Sequence, residues 1–106
     1  MTFEELYQSL KTIDLPVAYN HFDHPPSVPF MVFLDEGKNQ FVADASLWTS
    51  MTSIRLELYF ENGEDFPALD EKIEALLSNL SILFEDEATY YIPGEGLYQH
   101  NYYFKI

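Results

Sequence analysis

Three histidines and eighteen acidic side chains are the residues in this chain with the chemistry to hold a metal or move a proton. His21-Phe22-Asp23-His24 offers two imidazoles and a carboxylate, and His100 is a third imidazole. Zinc sites need three or four such ligands held tetrahedrally, and paired histidines gain that geometry when a helix brings them to one face. His21 and His24 fall instead where a short strand runs into a proline-rich loop, and neighbours three apart point in different directions there. The expected roles are a strand residue for His21, a loop residue for His24 and an inward or edge aromatic for His100. No metal and no other cofactor is expected.

Adjacent carboxylates occur at Asp35-Glu36, Glu64-Asp65 and Glu85-Asp86-Glu87. A general acid needs a pKa raised by burial, whereas these pairs sit in turn-like stretches where water solvates them. Glu57 differs, lying beside Arg55 in an apolar stretch, and a cross-strand or solvent-face charge is the expected role. The sequence contains no nucleophile elbow, phosphate-binding loop or dinucleotide fingerprint. It has no cysteine, hence no disulfide, thiol nucleophile or cysteine-ligated metal. No histidine is placed by sequence to activate a serine or threonine. An enzyme is not expected.

Whatever these residues do, a single domain must position them. One hundred and six residues suffice for one core and no separate cofactor domain. With 47% hydrophobic and 17% aromatic residues, the composition is that of a folded chain. Five bases against eighteen acids leave a formal charge of −13, with a pI near 4.2. Binding a phosphate backbone requires clustered Lys and Arg, so neither nucleic acid nor an anionic membrane surface is an expected partner. There is no apolar run long enough for a membrane span. The acidic start Met1-Thr2-Phe3-Glu4-Glu5 lacks the pattern of a signal peptide, so a cytoplasmic location is expected. The acidity serves solubility, or a wall that repels DNA, or mimicry of DNA.

The clearest element is Thr52 to Phe60, where Ile54, Leu56, Leu58 and Phe60 alternate with Arg55, Glu57 and Tyr59. That period-two pattern predicts a half-buried central strand. Thr2-Phe3-Glu4-Glu5 has the form of a capping box opening a helix, whose stripe is Phe3, Leu6, Tyr7, Leu10 and Ile13. Leu15 to Phe22 reads as a short strand, followed by a loop with three prolines. Phe30 to Leu34 and Gln40 to Asp44 read as two strands of a hairpin turned by Asp35-Glu36-Gly37-Lys38-Asn39, with a bend or bulge near Ser46. Asp65-Phe66-Pro67 opens a second helix, with Leu69, Ile73, Leu76, Leu77 and Leu80 buried and Asp70, Glu71 and Glu74 toward solvent. Ala88 to Ile92 and Leu97 to Ile106 are two further strands joined by Pro93-Gly94-Glu95-Gly96, the last tying the C-terminal residues into the sheet. The predicted fold is α+β. Its antiparallel or mixed sheet has five to six strands, with two helices on one face, in the order α-β-β-β-β-α-β-β.

Leu15-Pro16-Val17-Ala18-Tyr19 with His21-Phe22, Pro29 to Leu34, and Ile54 to Tyr59 before an acidic turn and a helix together resemble small proteins from the morphogenesis modules of siphophages and prophages of Gram-positive bacteria. The likeness spans nearly the whole chain and rests on structural strands. It is closest in kind to tail-completion or tail-terminator proteins. The resemblance implies a small α+β fold that assembles as a ring, typically hexameric. Such a ring caps the tail tube, stops its growth and joins it to the head, with no catalytic residues. The implied partners are further copies of itself, the major tail tube protein and a head-completion protein. The implied locations are the host cytoplasm during assembly and then the head-tail junction of the virion. Within that reading Phe41, Leu47, Trp48 and Met51 are assigned to subunit or tube contacts. Glu61, Glu64, Asp65, Glu85, Asp86 and Glu87, among nine acids from Glu61 to Glu87, are assigned to an acidic lumen that repels DNA phosphates. Two readings from other classes stand beside it: an acidic DNA mimic that inhibits a host DNA-binding protein or nuclease, and a small host adaptor.

Overall fold

The central strand forms where the alternation places it, and it is longer than the pattern alone indicates. In the computed structural model the backbone is described for residues 1–44 and 47–106, and side chains for 1–37 and 51–106. The elements are α1 (Phe3–Lys11), β1 (Val17–Tyr19), β2 (Phe30–Asp44), β3 (Leu47–Phe60), a 3-10 turn (Gly63–Asp65), α2 (Phe66–Asn79), β4 (Phe84–Asp86), β5 (Tyr90–Ile92) and β6 (Leu97–Lys105). They build a six-stranded mixed sheet ordered β1-β2-β3-β6-β4, with β5 also pairing β6. β1 runs parallel to β2 and every other pairing is antiparallel. The fold is α+β, as the sequence predicts, with both helices over one face.

That face carries the core. Ile54, Leu56, Leu58 and Phe60 of β3 are at most 1% exposed, and Met31 and Phe33 of β2 meet Leu58 and Leu56 across the ladder. On the other side Tyr102 and Phe104 of β6 register with Leu56 and Ile54. Leu6 and Leu10 of α1 and Leu69, Ile73 and Leu77 of α2 close the layer. Each such side chain contributes about 1.5–3 kcal/mol by leaving water. Phe60 stacks on both Phe66 and Tyr98 with ring centres 5.5 Å apart, which pins the start of α2 to the sheet.

The helix ends follow local chemistry. Thr2 Oγ1 accepts from the Glu5 backbone N–H at 3.1 Å, and Thr2 N–H donates to Glu5 Oε1 at 2.9 Å, completing the capping box. Those bonds hold the Glu5 carboxyl below its usual range. α2 begins at Phe66 with Pro67 in its first turn, although the Asp65 carboxylate makes no capping bond. Ile106 exchanges two backbone hydrogen bonds with Thr52, at 2.8 and 3.0 Å, so the last residues are held in the sheet.

Three expectations change. The predicted hairpin turn at residues 35–39 is not a turn: β2 continues through it, and Gly37, at φ +118°, follows a bulge that leaves Glu36 unpaired between Asp35↔Ile54 and Gly37↔Ser53. Gly and polar residues are demanded by a bulge as much as by a turn. The bend proposed near Ser46 lies outside the described residues. Three strands rather than four therefore precede α2. Three rather than two follow it, because Phe84–Asp86 forms an edge strand against Tyr102–Phe104. Lastly, β1 is only three residues long, and the chain then crosses a loop, Asn20–Pro29, before joining β2.

Candidate functional site

Three regions could do more than hold the fold. The first is the sheet face opposite the helices, where Phe30, Val32, Glu57, Tyr59, Gln99 and Asn101 project. No helix covers it, yet Val32, Glu57, Gln99 and Asn101 are all less than one-tenth exposed. The loop after β1 folds across one side of this face, and Phe22 sets its ring edge-on to Phe30, 5.3 Å between centres. Phe30 in turn stacks on Tyr59 at 5.1 Å. Between loop and sheet runs a groove of about 510 Å³, walled by Phe22, Pro26, Phe30 and Tyr59, with Glu57 and Glu95 supplying its carboxylates.

Polar groups on this face satisfy one another. Tyr59 Oη donates to Glu57 Oε1 at 2.9 Å. Burial first, then the Glu57 charge, drives the Tyr59 phenol far above its usual pKa. Arg55 Nη1 donates to Glu36 Oε2 at 3.1 Å, and its Nε lies 3.0 Å from Glu57 Oε2 without aiming its hydrogen there. Gln99 Nε2 donates to Asn101 Oδ1 at 2.9 Å. Tyr103 Oη donates to Glu87, which raises the phenol's pKa. The expected role of Glu57 is a cross-strand or solvent-face charge, and neither is met, since it is 9% exposed and pairs with Arg55 of its own strand. Tertiary cover makes it a buried, ion-paired carboxylate instead.

The second region lies on the helix side of β6. His100 is 4% exposed, 2.8 Å from Thr89 Oγ1 through Nδ1 and 2.9 Å from Asp86 Oδ2 through Nε2. Its ring packs on Phe66 and Tyr102, at 4.6 and 4.9 Å. A hydroxyl on one imidazole nitrogen and a carboxylate on the other is the polarity of a nucleophile relay. None of the three residues lines the open-face groove, and aromatic rings cover the imidazole. The arrangement ties the edge strand and the Thr89 segment to β6. Two residues further along, on the same face, the Tyr102 hydroxyl donates to Asp70 at 2.5 Å. Glu74, hydrogen-bonded to Asp70 and repelled by Asp70 and Asp86, has its pKa pushed up to about 7. Asp70 and Glu74 are thus half-buried, a correction to their predicted place toward solvent, because α2 lays them over Tyr102.

The third region is an arm. β6 last pairs with β3 at Ser53↔Lys105, extended by Thr52–Ile106, while β2 and β3 go on pairing to Asp44↔Leu47. Six residue steps beyond Lys38 make a ribbon of about 20 Å, and the molecule measures 51 × 27 × 24 Å. At its root a groove of about 750 Å³ is lined by Glu36, Met51, Ser53, Phe84 and Tyr103, with Leu83, 93% exposed, on its rim.

The predicted site residues distribute over these regions. Met51 lines the groove at the root of the arm. Phe41, Leu47 and Trp48 belong to the arm by backbone register, and their side chains lie outside the described residues. Glu61, Glu64, Asp65, Glu85, Asp86 and Glu87 are all exposed, but they form two groups. The first three follow Phe60, which pairs with Tyr98, whereas Glu85 and Asp86 pair with Tyr103 and Tyr102, about 13 Å further along β6. The histidines do not converge either. His21 lines the open-face groove and is 3.1 Å from Asp23, with His100 on the opposite face of the sheet. Among the described residues no cluster of three or more His, Asp and Glu is placed to hold a metal ion. No helix among them is long and apolar enough to cross a membrane. The residues missed by sequence reasoning are Thr89 beside His100, and the trio Phe22, Phe30 and Tyr59. Their separations of 11, 8 and 29 positions carry no local signal.

Neither a protein-family model nor a curated protein matches the sequence.

Proposed function

We propose that this chain is a structural subunit of phage morphogenesis, a tail-terminator-like protein that assembles as a ring on the end of the tail tube and joins it to the head. The observation that carries the reading is the arm. A two-stranded ribbon is marginal in water by itself, and among the described residues no strand pairs with its outer edges, which suits them to pairing with another chain. A subunit that reaches about 20 Å past its own sheet is suited to lie against a neighbour. Ring closure uses such a head-to-tail contact, in which two different patches meet. The exposed acids after β3 and on β4 provide the negative wall that would let DNA pass without sticking.

The test is light-scattering mass after size exclusion, across concentration and salt, with electron microscopy of the same fractions and of tail tubes assembled in its presence. A discrete ring, or tubes of controlled length capped at one end, is the expected result. Tubes that remain uncapped and uncontrolled in length would overturn the reading. A stable monomer or dimer that captures a basic nuclease would replace it with the DNA mimic. Within the ring reading, Glu61→Lys with Glu64→Lys, or Glu85→Lys with Glu87→Lys, should slow DNA exit from assembled particles while leaving the fold intact. Unchanged infectivity in both double variants would remove the lumen assignment.

A further inference from the structure

The open-face groove has no part in the arm or in the acidic wall, and its chemistry is specific. We propose that it binds an arginine side chain presented by a partner protein. Its walls are the rings of Phe22, Phe30 and Tyr59, linked in series at 5.3 and 5.1 Å. Aromatic faces of this kind attract a cation brought within about 6 Å of their centres. Its formal charges are Glu57, only 9% exposed, and Glu95 on the turn across the opening. The one imidazole in its lining, His21, lies 3.1 Å from Asp23, and Arg55 nearby is committed to Glu36 and Glu57. Of the roughly four acceptor positions on the Glu57 carboxylate, Tyr59 fills one, and Arg55 Nε lies 3.0 Å from the second oxygen without aiming its hydrogen there.

Charge complementarity selects the occupant. A chain of formal charge −13 draws cations to its surface, and a carboxylate or phosphate ligand would meet Glu57 and Glu95 head-on. A compact ammonium would leave most of the apolar wall empty in a groove of about 510 Å³. A long side chain with an apolar stem and a charged head matches both parts, the stem against Pro26 and Phe30 and the head toward the carboxylates. Guanidinium suits the site better than ammonium, because its plane stacks on an aromatic face while its edge donates hydrogen bonds, and it is less strongly hydrated. The inference does not depend on ring formation, since the groove and the arm are separate surfaces.

The experiment is a nuclear magnetic resonance titration of the full chain with three blocked tripeptides, Gly-Arg-Gly, Gly-Lys-Gly and Gly-citrulline-Gly, at constant ionic strength. Citrulline keeps the shape of arginine and removes its charge. Saturable shifts at Phe22, Phe30, Tyr59 and Glu57 with the arginine peptide are expected, and affinity at least about fivefold weaker with citrulline. Phe22→Leu keeps the apolar bulk and removes the ring, and should weaken the arginine peptide about threefold. Glu95→Gln, on an exposed turn that should not affect folding, should weaken it about twofold to fivefold. Equal binding of arginine and citrulline peptides, or shifts spread over all acidic surfaces, would overturn the proposal. So would a lysine peptide that binds as tightly, or an unaffected Phe22→Leu variant. Dilution-dependent shifts of these signals without peptide would assign the groove to a second copy of the chain instead.

Discussion

Replacing Glu74 with Gln should stabilise the protein at alkaline pH and leave it unchanged in acid. Glu74 shares a hydrogen bond with Asp70, which itself accepts from the Tyr102 hydroxyl, and Asp86 adds a further negative charge. These neighbours push its pKa from a usual 4.5 up to about 7. The native state therefore holds a proton that the unfolded chain has released. Its stabilising effect is complete below about pH 4.5, fades as pH rises and is gone above about 7. At about 1.4 kcal/mol per pH unit the span corresponds to at most roughly 3 kcal/mol. Glu74 is only half-buried, and screening by water reduces this to about 1 kcal/mol. Gln keeps a donor for Asp70 at every pH. Urea unfolding of both proteins at pH 4 and pH 8 should give equal free energies at the first and a Gln variant more stable by about 1 kcal/mol at the second. Taking the difference between the two proteins removes the general repulsion expected of so acidic a chain. A difference that stays the same at both values would refute the shared-proton account of this pair.

Other changes probe the frame that carries the sites. Leu56→Ala, at a fully buried position under both helices, should cost about 2–5 kcal/mol in urea unfolding. Gly37→Ala meets no neighbouring atom within 4 Å, so its cost comes from the backbone at φ +118° alone. About 1–3 kcal/mol is expected by thermal or urea unfolding. Thr2→Ala removes the capping bond of α1 and should lower stability by about 1 kcal/mol, with a small loss of helical circular dichroism.

How far the molecule was legible depended on how local each signal is. The capping box, the proline at the start of α2 and the turn Pro93–Gly96 are read from neighbours in sequence, and each formed where expected. The alternation from Ile54 to Phe60 stated which side chains would be buried, because a strand in any sheet has the same period. The residues around Gly37 were ambiguous, since a bulge and a turn ask for the same small and polar residues. Only the continued pairing of β2 with β3 shows which one formed.

The sites were mostly beyond such reading. Asp86, Thr89 and His100 meet because β4 and β6 pair, and a three-residue acidic edge strand has no periodicity to announce it. Glu57 looked like a surface charge because its alternation put it opposite the core, and that much was correct. What buried it was a proline-rich loop from the far side of β2, together with partners at Arg55 and Tyr59. The amino-acid sequence alone therefore determined the class of fold, the core face and the acidic character, all of which follow from residue type and spacing. The aromatic groove and the reach of the arm were decided by the tertiary structure. Both depend on which strands end where, and that balance of long-range pairing is absent from any short stretch of chain.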